Sequence, residues 1–296
     1  MSLPGDPGYG NRFSSLHGAK LYEIQSKTFP DGETYTRLLK PVEEDSVLVI
    51  QSMFPEQDKR FFETLQILDV LSRYGKRTIL LLTYMAYARQ DKVFLEGEPV
   101  SSKIVLRHLL SGYNVYKILI IEPHSEDSYR GFKDVVAING VEILGRKIKE
   151  MRSSRDIVVV SPDQGGLERA KRLARILGSE YLVFRKYRDR YTGSIKTEAP
   201  ENIDIVRNRD ALIIDDILST GGTIAETASI LKRSSAREIY TACVHCLFIS
   251  NALARILDSG VKEIYCGNTI KSVAQDPRVI YIDLFDEISK IIMSLI

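Results

Sequence analysis

The chain has 296 residues, of which 44% are hydrophobic and 27% charged, and its formal net charge is +2. This composition is typical of one large or two ordinary globular domains, and it excludes a disordered or fibrous chain and the strong basic excess of a nucleic-acid-binding protein. No apolar stretch approaches the roughly 20 residues that span a bilayer, and the Gly- and Pro-rich start is not a signal peptide, so we expect a cytoplasmic protein with no membrane or nucleic-acid partner.

Short apolar runs alternate with longer amphipathic stretches along the chain. Most of the runs are rich in Val, Ile and Leu without polar alternation, which is typical of strands buried on both faces of a parallel sheet. Strands are predicted at 47–51, 78–82, 117–121, 157–160, 181–184, 211–214, 239–244 and 263–266. Helices are predicted at 56–74, 101–110, 141–151, 167–177, 222–233, 251–258 and 284–296. This alternation predicts an α/β architecture of βαβ units.

The strand–helix pattern runs twice, with a break near Asn139-Gly140. We therefore predict two α/β domains, residues 1–140 and 141–296, each with a mostly parallel sheet flanked by helices. Ligands of open α/β sheets bind beyond the carboxyl ends of the strands. The polar segments that follow the third to sixth apolar runs are therefore the candidate functional residues.

The three cysteines are Cys243, Cys246 and Cys266, an odd number without a regular framework. Cys243 and Cys246 match C-x-x-C, but they lie in a predicted strand, where alternation sends them to opposite faces. A buried place in the sheet is favoured over a redox or metal site.

The strongest motif runs from Leu212 to Thr223, as Leu-Ile-Ile-Asp-Asp-Ile-Leu-Ser-Thr-Gly-Gly-Thr. Glycines before a helix let backbone N–H groups and the helix N-terminus cradle a phosphate. Carboxylates suit sugar hydroxyls or a metal instead. The motif therefore predicts a ribose 5-phosphate site, with the carboxylates of Asp215 and Asp216 at the hydroxyls. Its phosphate-binding residues are Ser219, Thr220, Gly221, Gly222 and Thr223.

This segment resembles the phosphoribosyl diphosphate loop of type I phosphoribosyltransferases and of ribose-phosphate pyrophosphokinases. Four further motifs resemble the pyrophosphokinases alone, in the same chain order. They are Phe29-Pro-Asp-Gly-Glu33, Tyr84-Met-Ala-Tyr-Ala-Arg-Gln-Asp91, Val160-Ser-Pro-Asp-Gln-Gly-Gly166 and Lys186-Tyr-Arg188. The resemblance extends from Phe29 to at least Thr223.

The resemblance implies two phosphoribosyltransferase-like domains and a diphosphokinase for nucleotide biosynthesis. The family reaction transfers the β,γ-diphosphoryl group of ATP to the 1-hydroxyl of D-ribose 5-phosphate, giving 5-phospho-α-D-ribose 1-diphosphate and AMP. Lys186 and Arg188 are implied as catalytic residues, with Arg188 also at the ribose 5-phosphate. His124 and Asp163 are implied as Mg²⁺ ligands. The implied ATP-binding residues are Phe29, Asp31, Gly32, Glu33, Arg89 and Gln90.

In the family, the segment equivalent to Phe29–Glu33 reaches the ATP of a neighbouring subunit, which implies a homo-oligomer of at least two chains. Two features depart from the family pattern. Glu122 stands where the family usually has aspartate, and only 28 residues precede Phe29, which looks too short for the usual first strand and helix.

Two alternatives remain open. A phosphoribosyltransferase would use the same loop but would not need the motifs at Phe29–Glu33 and Tyr84–Asp91. A non-catalytic regulatory homologue is disfavoured by the presence of His124, Asp163, Lys186 and Arg188.

Overall fold

A computed structural model describes residues 1–152, 156–188 and 195–295, with side chains for all of these except 186–188 and 195–196. The chain divides into two compact units. The first consists of Met1–Ile138, Thr269–Lys271 and Ile288–Ile296, and the second of Asn139–Asn268 and Ser272–Glu287. Among the described residues, no helix combines the length and the apolar character that a membrane crossing requires.

The first unit contains a four-stranded parallel sheet with the strand order β3-β4-β5-β6, and a separate antiparallel hairpin, β1-β2. Its elements are α1 (Tyr9–His17), β1 (Ile24–Thr28), β2 (Thr34–Leu38), β3 (Ser46–Ser52), α2 (Gln57–Arg73), β4 (Arg77–Tyr84), α3 (Ser101–Leu110), β5 (Val115–Ile121) and β6 (Val135–Ile138). Consecutive residues of β4, Leu80 to Leu82, are all fully buried, as expected of a strand covered on both faces.

The second unit contains a six-stranded parallel sheet with the order β14-β13-β12-β11-β7-β8, and an antiparallel hairpin, β9-β10. Its elements are α4 (Gly140–Met151), β7 (Ile157–Ser161), α5 (Leu167–Leu177), β8 (Glu180–Val183), β9 (Arg185–Arg188), β10 (Ile195–Glu198), β11 (Asp210–Leu218), α6 (Gly222–Arg233), β12 (Ile239–Cys246), α7 (Ala252–Asp258), β13 (Val261–Gly267) and β14 (Val279–Ile282). The last helix, α8, is Phe285–Met293.

The predicted fold class is confirmed, and each predicted strand and helix is present within a few residues of its predicted bounds. The sequence analysis did not predict α1, β6, β14 or either hairpin. The strands β1 and β2 contain only one buried residue, so they lack the apolar runs by which the other strands were found. Before α1, Ser2 forms a single parallel bridge with Ile50.

Strand β11 is longer than predicted, and Asp215 and Asp216 lie within it rather than after it. The reason is that β12 also continues, so that Asp215 pairs with Cys243 and Leu218 with Cys246. The backbone of both aspartates therefore lies in the strand, and only the Ser-Thr-Gly-Gly segment forms the turn.

Cys246 and Cys266 form a disulfide between the adjacent parallel strands β12 and β13, with 5.8 Å between their Cα atoms. Cys243 is a free, buried thiol. The expected buried places in the sheet are confirmed, whereas the disulfide was missed. Its pairing depends on the register of two strands, which the spacing of cysteines in the sequence does not reveal.

Candidate active site

The turn after β11 directs its carbonyl groups toward the segment that precedes and begins α7. The Ser219 carbonyl accepts a hydrogen bond from Ile249 N at 3.0 Å, and the Thr220 carbonyl accepts one from the Arg255 guanidinium at 2.8 Å. Within one trans peptide unit, the N–H of the next residue points the opposite way from the carbonyl, so the N–H groups of Thr220 and Gly221 face away from that segment. Within the described part of the chain, the N–H groups of residues 219–222 donate no hydrogen bond.

Gly221 is required by the backbone of this turn. Its φ is +74°, a left-handed value, and a Cβ at this position would lie 2.9 Å from the Ile256 side chain. Gly221 is also the N-cap of α6, and it supplies no side chain to cap the helix. A helix N-terminus whose N–H groups remain open is a favourable site for an anion such as phosphate.

Asp215 and Asp216 share a cation, the guanidinium of Arg169 in α5. Arg169 Nη2 lies 2.9 Å from Asp216 Oδ1 and 3.9 Å from Asp215 Oδ1. The Asp216 side chain is only 2% exposed, whereas 22% of the Asp215 side chain is exposed. Burial and the neighbouring Asp216 carboxyl raise the pKa of Asp215 well above its usual range, and Arg169 opposes that rise.

The turn after β7 presents the carboxylate of Asp163. Ser161 Oγ donates to the Asp163 carbonyl at 2.7 Å, and the Asp163 carboxylate accepts from Gly166 N at 3.3 Å. A Cβ on Gly166 would lie 2.3 Å from Ser161 Oγ, so only glycine fits there. The turn leads directly into α5, which carries Arg169.

Lys186 and Arg188 lie on β9, with side chains outside the described residues. The backbone of Lys186 pairs with Thr197 of β10. Thr197 N donates to the carboxylate of Glu226 in α6 at 3.3 Å. The hairpin is thus attached to α6, the helix that begins at the turn after β11.

In the first unit, the segment Phe29–Glu33 forms the tight turn of the β1-β2 hairpin. Phe29 N donates to the Glu33 carbonyl at 2.8 Å, Gly32 N donates to the Phe29 carbonyl at 2.9 Å, and Asp31 Oδ1 accepts from Glu33 N at 3.2 Å. The Phe29 ring is exposed, with the Lys27 ammonium 4.4 Å from its centre. The turn thus presents an aromatic face and two carboxylates to solvent.

The hairpin is fastened to helix α2 by two hydrogen bonds. Ser26 Oγ donates to the buried Glu63 carboxylate at 2.6 Å, and Gln66 Nε2 donates to the Thr34 carbonyl at 2.8 Å. The exposed turn therefore projects from a fixed base.

Arg89 and Gln90 are exposed at the edge of a cavity of about 310 Å³. The cavity is also lined by Gln57, Asp58, Tyr84, Tyr87 and Ala88. Tyr87 has a left-handed φ of 60°, and its hydroxyl hydrogen-bonds the Asp58 carboxylate, which raises the pKa of the tyrosine. Ser101 Oγ donates to Gln90 Oε1 at 2.6 Å, so both sides of the Arg89-Gln90 loop are anchored.

His124 lies beside this loop. The buried carboxylate of Asp91 accepts a hydrogen bond from the hydroxyl of Ser125, the residue after His124. Glu122, where the family usually has aspartate, is buried with a φ of 39°. Across residues 1–152, 156–188 and 195–295, no group of three or more His, Cys, Asp or Glu side chains is arranged to hold a metal ion.

Known protein families and individual proteins are similar to this chain in sequence. A family model described as the N-terminal domain of ribose phosphate pyrophosphokinase matches residues 2–111, and the phosphoribosyl transferase domain matches 134–276. The ribose-phosphate pyrophosphokinase of Sulfurisphaera tokodaii is 37% identical over 290 residues, 96% of each chain. That of Saccharolobus solfataricus is 33% identical over 284 residues, 95% of this chain and 96% of the relative.

The chain belongs to the ribose-phosphate pyrophosphokinase family.

The fold agrees with that of a solved structure, a phosphoribosylpyrophosphate synthetase from Mycobacterium smegmatis. The TM-score is 0.89 over 99% of this chain and 97% of that one, at 23% sequence identity.

The candidate residues of the pyrophosphokinase fall into three groups in the structure. In the second unit, Asp163 lies in the turn that leads into α5, and Arg169 of α5 contacts Asp215 and Asp216 of β11. In the first unit, the loop of Arg89 and Gln90 is joined to that of His124 through Asp91. The turn Phe29–Glu33 is a separate hairpin, attached to α2 at Glu63 and Gln66.

Sequence reasoning missed Arg169. A signal was present, because two adjacent carboxylates beside a buried strand need a compensating cation. Arg169 is three residues beyond Gly166, in the first turns of the helix that follows the glycine-rich turn, and therefore near the same edge of the sheet.

The two loop glycines are expected to differ in their effect on stability. We expect Gly221→Ala to lower the free energy of unfolding by about 1–3 kcal/mol, because alanine would be strained at this φ and would clash with Ile256. Gly222→Ala is the matched control, since its Cβ would meet only the Arg255 guanidinium, at 3.9 Å. It should change the free energy of unfolding by no more than ~0.5 kcal/mol.

Urea denaturation followed by circular dichroism measures both variants. Equal losses in the two variants, or none in Gly221→Ala, would contradict the steric requirement at this turn.

Proposed function

We propose that the chain catalyses the reaction named by its family, ribose-phosphate diphosphokinase activity. The 1-hydroxyl oxygen of ribose 5-phosphate attacks the β-phosphorus of ATP and forms an O1–Pβ bond. The bond between the β-phosphorus and the oxygen that bridges to the α-phosphorus breaks, AMP leaves with that oxygen, and the hydroxyl proton is released. The observation that supports the proposal most strongly is the pairing, at the end of β11, of two carboxylates with a turn of open N–H groups.

Two groups of residues bind ribose 5-phosphate, one at its phosphate and one at its hydroxyls. The N–H groups and hydroxyls of Ser219, Thr220, Gly221, Gly222 and Thr223 bind its 5-phosphate, with the positive end of the α6 dipole behind them. The carboxylates of Asp215 and Asp216 accept hydrogen bonds from ribose hydroxyls. Because the sugar is gripped at both ends, its 1-hydroxyl is oriented as the nucleophile, which is the main contribution of a protein to phosphoryl transfer.

ATP is held by residues of the first unit. The exposed Phe29 ring suits stacking on adenine, and Asp31 and Glu33 accept from its amine or from ribose hydroxyls, with Gly32 allowing the turn. Arg89 and Gln90 bind at the edge of the 310 Å³ cavity, where a guanidinium can stack on the base or neutralise phosphate. In the family, the Phe29 segment serves a neighbouring subunit, and we propose a homo-oligomer on that ground.

Only some of the candidate residues have the oxygen ligands that Mg²⁺ prefers. It is usually held by one or two carboxylates together with substrate phosphates, and the Asp163 carboxylate at the edge of its turn is such a ligand. His124 offers a nitrogen ligand, which Mg²⁺ prefers less than oxygen. When bound, the ion neutralises charge on the transferring diphosphoryl group. We propose His124 and Asp163 as protein ligands at two separate magnesium positions, in an enzyme of cytoplasmic nucleotide biosynthesis.

Formation of AMP from ATP and ribose 5-phosphate tests this function. The purified chain, with Mg²⁺ and these two substrates alone, should give AMP and 5-phosphoribosyl 1-diphosphate in equal amounts, and no AMP when ribose 5-phosphate is omitted. A phosphoribosyltransferase would form no AMP here, and would instead release pyrophosphate from phosphoribosyl diphosphate and a base. A regulatory homologue would be inactive without a partner. Either result would overturn the proposal.

Lys186 and Arg188 are proposed to stabilise the charge that develops on the transferring group and on departing AMP, with Arg188 also near the ribose 5-phosphate. We expect Lys186→Ala to lower kcat by about 10²-fold or more and to spare the affinity for ribose 5-phosphate, as for other preorganised charge stabilisers. Steady-state kinetics with each substrate varied measures both effects.

Lys171→Ala is the matched control for Lys186→Ala. Lys171 lies on the surface of α5, where it pairs with Glu168 at 2.8 Å, and its loss should leave kcat within ~2-fold of wild type. An unchanged kcat in Lys186→Ala would refute the role of Lys186.

A further inference from the structure

Arg169 is a buried cation that the proposed reaction does not yet use. It lies in α5 with 6% of its surface exposed. Burying a charged side chain away from water lowers the stability of the fold by several kcal/mol unless oppositely charged groups lie close to it in good geometry. Its described partners are the two carboxylates proposed to bind the ribose hydroxyls, Asp216 at 2.9 Å and Asp215 at 3.9 Å.

The Asp215 carboxylate is held from a second side. Its Oδ1 atom accepts a hydrogen bond from Asp216 N at 2.9 Å, and this is the same oxygen that faces Arg169. One oxygen of the partly exposed carboxylate is thus fixed by the backbone and by a guanidinium. The orientation of the whole carboxyl group is set before any ligand arrives.

We infer that Arg169 is a positioning residue, which holds the Asp215–Asp216 pair in the fixed arrangement that accepts hydrogen bonds from the ribose of ribose 5-phosphate. This inference rests on the proposed function. Two like charges on adjacent residues repel each other, and Arg169 opposes the rise in the pKa of Asp215, so without the guanidinium Asp215 would hold a proton more firmly or turn away. A protonated or displaced carboxyl group is a poorer acceptor for hydroxyls.

The position of Arg169 is linked to the Asp163 turn. The Asp163 carboxylate and the close packing of Gly166 against Ser161 fix the start of α5, and Arg169 follows three residues later. The turn proposed to face the diphosphoryl group and the carboxylates proposed to face the ribose therefore share one short rigid segment, so Arg169 aligns the two halves of the acceptor site.

Steady-state kinetics of Arg169→Gln separates positioning from a general structural role. We expect KM for ribose 5-phosphate to rise at least ~10-fold, the loss of about one charged hydrogen bond, while KM for ATP stays within ~2-fold. Arg169→Lys restores the charge but not the two-pronged donor, so its KM should lie between those of wild type and Arg169→Gln. Arg175→Gln, an exposed arginine of the same helix, is the control and should match wild type.

A double-mutant cycle with Asp216→Asn tests whether Arg169 acts through its partner. On the Asp216→Asn background, Arg169→Gln should raise KM for ribose 5-phosphate by no more than ~2-fold further, because the interaction is already lost. Fully additive effects would overturn the inference, as would an unchanged KM for ribose 5-phosphate in Arg169→Gln or an equal rise for both substrates.

If thermal unfolding shows that Arg169→Gln does not fold, the KM of Arg169→Lys for ribose 5-phosphate tests the inference alone. A folded Arg169→Lys with wild-type KM for ribose 5-phosphate contradicts the inference, and a selectively raised one supports it. Absence of AMP formation by the wild-type protein would instead refute the proposed function, so the two failures are distinguishable.

Discussion

The end of β11 imposes the central constraint on the second unit, because it places two neighbouring carboxylates where little water reaches them. Such a pair is unfavourable unless a cation lies close, and Arg169 supplies one at 2.9 Å from Asp216. That requirement fixes where α5 must pack, and the Asp163 turn that begins α5 is fixed with it. The turn of residues 219–222 follows the same strand, and the carbonyls of Ser219 and Thr220 accept hydrogen bonds from the segment that precedes and begins α7.

Functional sites commonly retain arrangements that stability alone would not select. The raised pKa of Asp215 and the left-handed Gly221 are both of this kind. Under the proposed function, sugar hydroxyls that donate to Asp215 would favour its ionised form, and a phosphate would accept from the N–H groups beside Gly221. Preorganisation of this sort lowers the entropic cost of orienting the substrate.

The sequence allowed prediction of those parts of the fold that carry strong periodic signals. The central strands, such as β4 with its consecutive buried leucines, are recognisable from apolar runs alone. The hairpin β1-β2 was not recognisable in this way, because its strands are mostly exposed. It is held to α2 by the hydrogen bonds between Ser26 and Glu63 and between Thr34 and Gln66. Those contacts join residues more than 30 positions apart, and no local pattern encodes them.

The same distinction holds for the site. The motif at Asp215–Thr223 is contiguous, so the sequence alone could predict a sugar-phosphate site there, although the strand was found to include both aspartates. Arg169 and the Cys246–Cys266 disulfide depend on how separate elements pack or pair, and were found only in the structure. Glu122 is buried and its backbone is left-handed, but the structure gives no reason for glutamate in place of aspartate.

The central claim is that the β11 turn binds ribose 5-phosphate as a nucleophile, so that its C1–O bond survives the reaction. Ribose 5-phosphate labelled with ¹⁸O at the 1-hydroxyl tests this directly, with mass spectrometry of the product formed from ATP. The account predicts that the label is retained between C1 and the β-phosphorus. Loss of the label from the sugar product, while the remaining ribose 5-phosphate keeps it, would mean that the C1–O bond breaks, and would contradict the account.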